Sequence, residues 1–310
     1  MSDLPAPKGW SRTTRLVLAL VVALAVTAAA AVTVVRRTPA RDPVVLPDAA
    51  DAFGADGVLG RTVLRAAFSP SGRLLLVQTP AGIGVATGDD DTPDGDVQFL
   101  TPPGSRAVGA AWFPSETAVL VVEGPVPTGQ LAVVELDGRV RGVIPLEESF
   151  SAGSGRGMAV APDGRRAVVT AEVRDVIGGA RHFHLVLVDL ETGAVVDVTG
   201  ADGPDETDPV FVGPDEIAYT ETDHPGGASR AVVRELAAAA TRPLSPDDVD
   251  ARAVGVVRSA VAYVADGVVW RVDRGGPQRL AAVDGDVLAV HPDGTLVVLG
   301  GRGRAQILRP

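Results

Sequence analysis

Few residues in this chain carry side chains suited to chemistry, and they are scattered. There are four histidines, His182, His184, His224 and His291, and no cysteine. Disulfides, thiolate metal sites and a cysteine nucleophile are therefore excluded. His182-Phe183-His184 is the most metal-like fragment. On a strand, side chains two apart share a face, so both imidazoles could meet one ion. No third ligand stands at a recognisable spacing. A second candidate is the acidic run Asp89-Asp90-Asp91-Thr92-Pro93-Asp94-Gly95-Asp96. Oxygen-rich turns suit hard cations, and Asp90, Thr92 and Asp94-Gly95 imitate the opening of a calcium loop. The bidentate glutamate that closes such a loop is missing, with Thr101 in its place, so a solvated hairpin loop is the simpler reading. Asp202, Asp205, Glu206 and Asp208 form a similar acidic turn.

Nucleophile and nucleotide motifs are also absent. Gly153-Ser154-Gly155 lacks the outer glycines of a nucleophile elbow, and no Gly-x-Gly-x-x-Gly joins a strand to a helix. The residues thus assign no catalytic group and no cofactor. Asp90, Asp94, His182 and His184 are the candidate metal ligands, with calcium the ion the acidic loop would take.

Charge narrows the partners. The 310 residues carry 28 basic and 39 acidic side chains, a net charge of −11. Residues 1–37 hold five of the basic groups and one of the acidic ones, so the rest has a net charge of −15. Such a body repels phosphates, and no basic, aromatic-studded patch offsets this, so nucleic acid is not an expected partner. Lys8 is the sole lysine, and heavy Ala, Val, Gly, Arg, Asp and Pro usage resembles that of proteins from GC-rich bacterial genomes.

The elements that must position these groups are short. From residue 61 onward, Val/Leu/Ala-rich runs alternate with Gly, Pro, Asp and Ser turns, which predicts an all-β domain. One pattern recurs: an apolar strand, a Pro-x-Gly-like turn and a second apolar strand. It appears around Phe68-Ser69-Pro70-Ser71-Gly72, Trp112-Phe113-Pro114-Ser115, Val160-Ala161-Pro162-Asp163-Gly164, Val212-Gly213-Pro214-Asp215 and Val290-His291-Pro292-Asp293-Gly294. His291 takes the place of Ser69 and is most simply a turn residue. The turn prolines are spaced 44, 48, 52 and 78 residues apart. The last gap is nearly twice the others and holds a copy that has lost its proline, around residues 253–264. Six units of roughly 40–50 residues match the length of a four-stranded propeller blade. Second hairpins follow in most units, punctuated by Asp137-Gly138, Thr192-Gly193 and Gly275-Gly276. The last unit has room for only three strands. Residues 44–46 or 58–64 are expected to supply the fourth. Residues 172–181 and 220–230 read as the longest insertions within hairpins, where binding surfaces tend to lie.

The Phe-Ser-Pro-Ser-Gly-Arg and Ala-Pro-Asp-Gly-Arg-Arg segments resemble the Ser-Pro-Asp-Gly-Arg repeat of TolB-like, WD-repeat-like β-propellers. The resemblance covers residues 61–310. It implies a propeller of six blades, or five if the decayed copy does not count. It also implies service as a protein-interaction platform or as a gate beside a catalytic domain. On this reading the chain is expected to lack the globular domain that precedes the propeller in TolB.

Residues 16–35 are uncharged and built from Leu, Val, Ala and two Thr. Twenty helical residues span roughly 30 Å, the thickness of the hydrocarbon layer. Arg12, Arg15, Arg36 and Arg37 flank the run, and Trp10 suits an interface. The expected organisation is a cytoplasmic tail (1–15), a transmembrane helix (16–35), a Pro-rich linker (36–60) and the propeller (61–310), with the N-terminus inside and the propeller outside. The alternative is secretion after cleavage of a signal peptide near residues 27–31. The expected partners are the lipid bilayer through residues 16–35 and another envelope protein. The expected role is non-catalytic binding. The alternative is a metal-assisted, lactonase-like hydrolase with its site in the central channel.

Overall fold

The structure is a computed structural model. It describes residues 63–87, 97–102, 105, 107–123, 127–152, 157–174, 181–200, 203–223, 227–246, 249–257, 260–285, 287–299 and 305–308. The chain divides into Met1–Val45 and Leu46–Pro310, and all described residues lie in the second unit. The expected tail and membrane segment, and Asp90 and Asp94 of the acidic loop, lie outside the described residues. Among the described residues no helix is long and apolar enough to cross a membrane.

Every regular element described is a strand, as the alternation of apolar runs and turn residues requires. The first sheet is β1 (Arg65–Phe68), β2 (Leu74–Thr79), β3 (Gly82–Thr87) and β4 (Val97–Phe99). The second is wider. It contains β5 (Ala107–Trp112), β6 (Ala118–Glu123), β7 (Pro127–Glu135) and β8 (Val140–Ala152), then β9 (Met158–Val160), β10 (Arg166–Arg174), β11 (Arg181–Asp189) and β12 (Val195–Asp197). Two four-strand meanders merge there because the end of β8 pairs with β10, Ser151 opposite Glu172 and Ala152 opposite Ala171, while β9 pairs with the other half of β10. Two four-stranded sheets follow. One is β13 (Asp205–Phe211), β14 (Glu216–Thr222), β15 (Ser229–Glu235) and β16 (Ala240–Pro243). The other is β17 (Ala251–Val257), β18 (Ala260–Ala265), β19 (Val268–Asp273) and β20 (Gly276–Ala282). The last sheet is β21 (Val287–Val290), β22 (Leu296–Leu299) and β23 (Ala305–Leu308). All pairings are antiparallel.

The strands are apolar on both faces because each face meets a neighbouring sheet. Leu75 and Val77 pack with Ala289, Val297 and Leu299, while Leu76, between them on β2, packs with Trp112, Val119 and Val121. The same alternation sends Leu120 and Val122 toward Val186 and Val188. Val168 and Leu185 meet Ile217 and Tyr219, Ala218 and Val233 meet Val261 and Tyr263, and Ala262 and Val264 meet Leu296 and Val298. Six apolar layers therefore follow one another, and the last returns to the first sheet. The first strands of successive units, β5, β9, β13, β17, β21 and β1, touch in turn around an axis. This is a propeller-like ring.

Closure is apolar. The last sheet seals against the first through Phe68, Leu75 and Val77. His291 meets Phe68 edge-on with centroids 5.1 Å apart. The expected fourth strand from residues 58–64 is corrected at its end: the Leu64 N–H donates to the Gln78 carbonyl at 2.8 Å and so prolongs β1. Residues 44–46 and 58–62 lie outside the described residues.

The recurrent turns follow one geometry. Gly72, Gly164 and Gly294 take φ of 79°, 71° and 102° and donate their N–H to Ser69, Ala161 and His291. The second copy lacks that glycine, and Glu116 adopts φ 58° in its place.

Candidate functional site

The six first strands enclose a channel of about 240 Å³, lined in part by Phe68, Met158, Leu288 and Val290. At one end an ion pair crosses it. Arg65 on β1 meets Asp208 on β13, 143 residues away in sequence. A β-bulge makes this reach possible. The register of β13 against β14 shifts between Thr207 and Val210, and Asp208 sits in the shift with φ 59°. Aspartate tolerates that conformation better than most residues. Gly157 leaves room for the guanidinium, since a Cβ there would lie 3.2 Å from Arg65 Nη1.

Beside this mouth opens a polar cleft of about 590 Å³ between the sheets that begin with β13 and β17. Thr207 and Thr220 share a hydroxyl–hydroxyl hydrogen bond of 2.8 Å, and Thr222 and Ser229 one of 2.7 Å. On its far wall, Arg252 Nε donates to Asp250 at 2.8 Å. Asp250 also accepts from the Ser229 N–H at 3.2 Å. Against the cost of partial burial, these bonds hold the Asp250 carboxyl below its ordinary value.

A second buried polar group lies in the layer between β11 and β14. Glu206 and Glu221 stand directly opposite each other on β13 and β14, both buried. Glu221 accepts from Arg230 Nε at 2.9 Å and from the Tyr219 hydroxyl at 3.2 Å. Glu206 accepts from the Thr199 hydroxyl, whose oxygen in turn accepts from the Leu185 N–H at 3.0 Å. Burial, reinforced by the Glu221 charge, pushes the Glu206 carboxyl up to about 8. Burial and the same two carboxyls push the Tyr219 phenol up as well.

Of the predicted ligands the structure describes His182 and His184, while Asp90 and Asp94 lie outside the described residues. His182 and His184 share one face of β11, opposite Val173 and Ala171. His184 is buried, and burial lowers its pKa against the pull of Asp197. Among the described residues no three His, Asp or Glu groups are arranged to hold a metal. The acidic turn is split by task. Asp205 accepts from the Phe183 N–H at 2.8 Å, Glu206 enters the layer beside β11, and Asp208 turns to the channel. The insertions 172–181 and 220–230 are shorter than the sequence suggests, because Glu172–Arg174 pair with 181–183 and Glu221–Thr222 with 229–230. Sequence reading passed over Arg65, Thr207, Asp250 and Arg252. Asp208-Pro209, a strand residue whose neighbour has no N–H, is the one local hint of a bulge.

This geometry is that of a β-propeller with a polar, charge-paired channel mouth. No family model and no curated protein matches the chain. Solved structures do. TolB from Agrobacterium tumefaciens is similar at 14% identity and a TM-score of 0.55, over 79% of this chain and 90% of that one. The Cps50 (Swd1) β-propeller domain from Myceliophteria thermophila is similar at 12% identity and 0.51, over 80% and 96%. An oligogalacturonate lyase in complex with manganese is similar at 15% identity and 0.52, over 78% and 71%. At these identities the likeness shows the fold.

Proposed function

We propose that the protein is a membrane-tethered binding platform, a six-bladed propeller held outside a bacterial cytoplasm by residues 16–35 that receives another envelope protein at its channel mouth. Six first strands and six apolar layers support the blade number. The uncharged run between paired arginines supports the anchor. One observation carries the docking role. The β13 bulge and the β14–β15 hairpin gather hydroxyls and two Arg–Asp pairs around one opening. A ring of packed sheets holds them rigidly, so a partner loses little freedom in ordering this surface. TolB and the Cps50 propeller share the scaffold.

A photocrosslinking residue at Thr222 or at Arg252, in living cells, should trap the same partner, while one at Ser115 in the β5–β6 turn traps none. Labelling independent of position would reject the docking face. Alkaline phosphatase fused after Pro310 should be active if the propeller lies outside, and an inactive fusion rejects that placement.

A metal-assisted hydrolase is the second reading, favoured by the manganese-bound lyase with this fold and by the shared face of His182 and His184. It requires stoichiometric metal in the purified full chain, lost in His184→Ala.

A further inference from the structure

The cleft beside the channel has a chemistry that selects among ligands. Thr220 and Thr222 lie two apart on β14, and each pairs its hydroxyl with a neighbour, Thr207 and Ser229. The charged groups on both flanks are paired internally, Arg65 with Asp208 and Arg252 with Asp250. Among the described residues, an ion entering here meets no uncompensated opposite charge and must compete with an existing pair for its counter-charge. An apolar molecule would cover hydroxyls and carboxylates without bonding them. A neutral molecule with several hydroxyls does neither. Each of its O–H groups can donate to a carboxylate or hydroxyl oxygen, which accepts more than one hydrogen bond, and can accept the one proton that the Thr222–Ser229 hydroxyl pair does not use between its members. The volume, about 590 Å³, falls within the range of small-molecule pockets, roughly 300–1,000 Å³.

We infer that this cleft binds a neutral polyhydroxylated ligand, a sugar or sugar alcohol. Among the described residues no aromatic side chain lines it, so these residues hold the ring by its edge through hydrogen bonds and not by stacking on its face. Affinity on the order of 1 mM follows from such contacts. The cleft takes this ligand whether or not a protein docks above it.

The test uses the full chain in a detergent without sugar headgroups, with maltose, sorbitol, glycine and glutamate as probes in saturation-transfer NMR. Maltose or sorbitol should bind saturably, and the two ionic probes should not. The Thr222→Val/Ser229→Ala pair should weaken binding roughly tenfold, since each hydroxyl contributes about one hydrogen bond. Ser115→Ala should leave it unchanged. If the double variant does not fold by circular dichroism, Asp250→Asn is read in its place, with the same loss expected. The inference is overturned by the absence of saturable binding at ~50 mM polyol, far above the expected dissociation constant. Tighter binding of glutamate, or wild-type binding by a folded variant, would overturn it too.

Discussion

Two residues show how little a side chain's type says without its surroundings. Gly72 sits in a turn that favours glycine, yet its stronger constraint comes from another sheet. A Cβ there would stand 2.0 Å from His291 Nε2. Gly72→Ala combines that clash with a strained φ of 79° and should cost about 2–4 kcal/mol in denaturant unfolding. His291→Ala in the same chain should recover part of the loss, and a cycle with no coupling would contradict the contact. Glu206 is the second case. Its folded pKa near 8 lies above the ordinary 4.5, so the folded state holds more protons across that window. Stability contributed by this group is complete below about 4.5 and falls as pH rises toward 8. The slope is at most about 1.4 kcal/mol per pH unit. Glu206→Gln should flatten the melting-temperature profile between these values and raise it above pH 7. An unchanged profile would mean that Glu206 ionises freely beside Glu221 and Tyr219.

The β13 bulge depends on one residue holding a positive φ. Asp208→Asn keeps an amide tolerant of that backbone and should cost only about 1 kcal/mol with the ion pair lost. Asp208→Val adds a β-branched side chain that resists it and should cost about 2–3 kcal/mol more. Thermal unfolding of the two variants separates bulge from charge, and equal losses would assign everything to the Arg65 contact. Elements of this kind were partly legible beforehand. The Pro-x-Gly turns and the Asp-Gly and Thr-Gly hairpins are local chemistry and stand where the residues indicate. The span of the hairpins was misjudged. Polar strand residues such as Glu172, Glu221 and Thr222 resemble loop residues until a neighbouring strand shows them paired.

The whole ring is one cooperative object, because each apolar layer needs two sheets. Removing residues 284–310 would expose Phe68, Leu75 and Val77 on one side and Ala262 and Val264 on the other. The truncated chain should therefore fail to give a protease-resistant core, in contrast to a linear repeat array that shortens without collapse. A folded, monomeric truncation would refute closure by the last sheet. Strand alternation and turn type are written in neighbouring residues, so the sequence alone determined them. The Arg65–Asp208 bridge, the facing glutamates and the fit of His291 over Gly72 were decided by the tertiary structure. The bridge and the His291 contact join residues from different repeats, which only the closed ring brings within reach, while the glutamates, neighbours on one hairpin, are buried only by the packing of β11 against it.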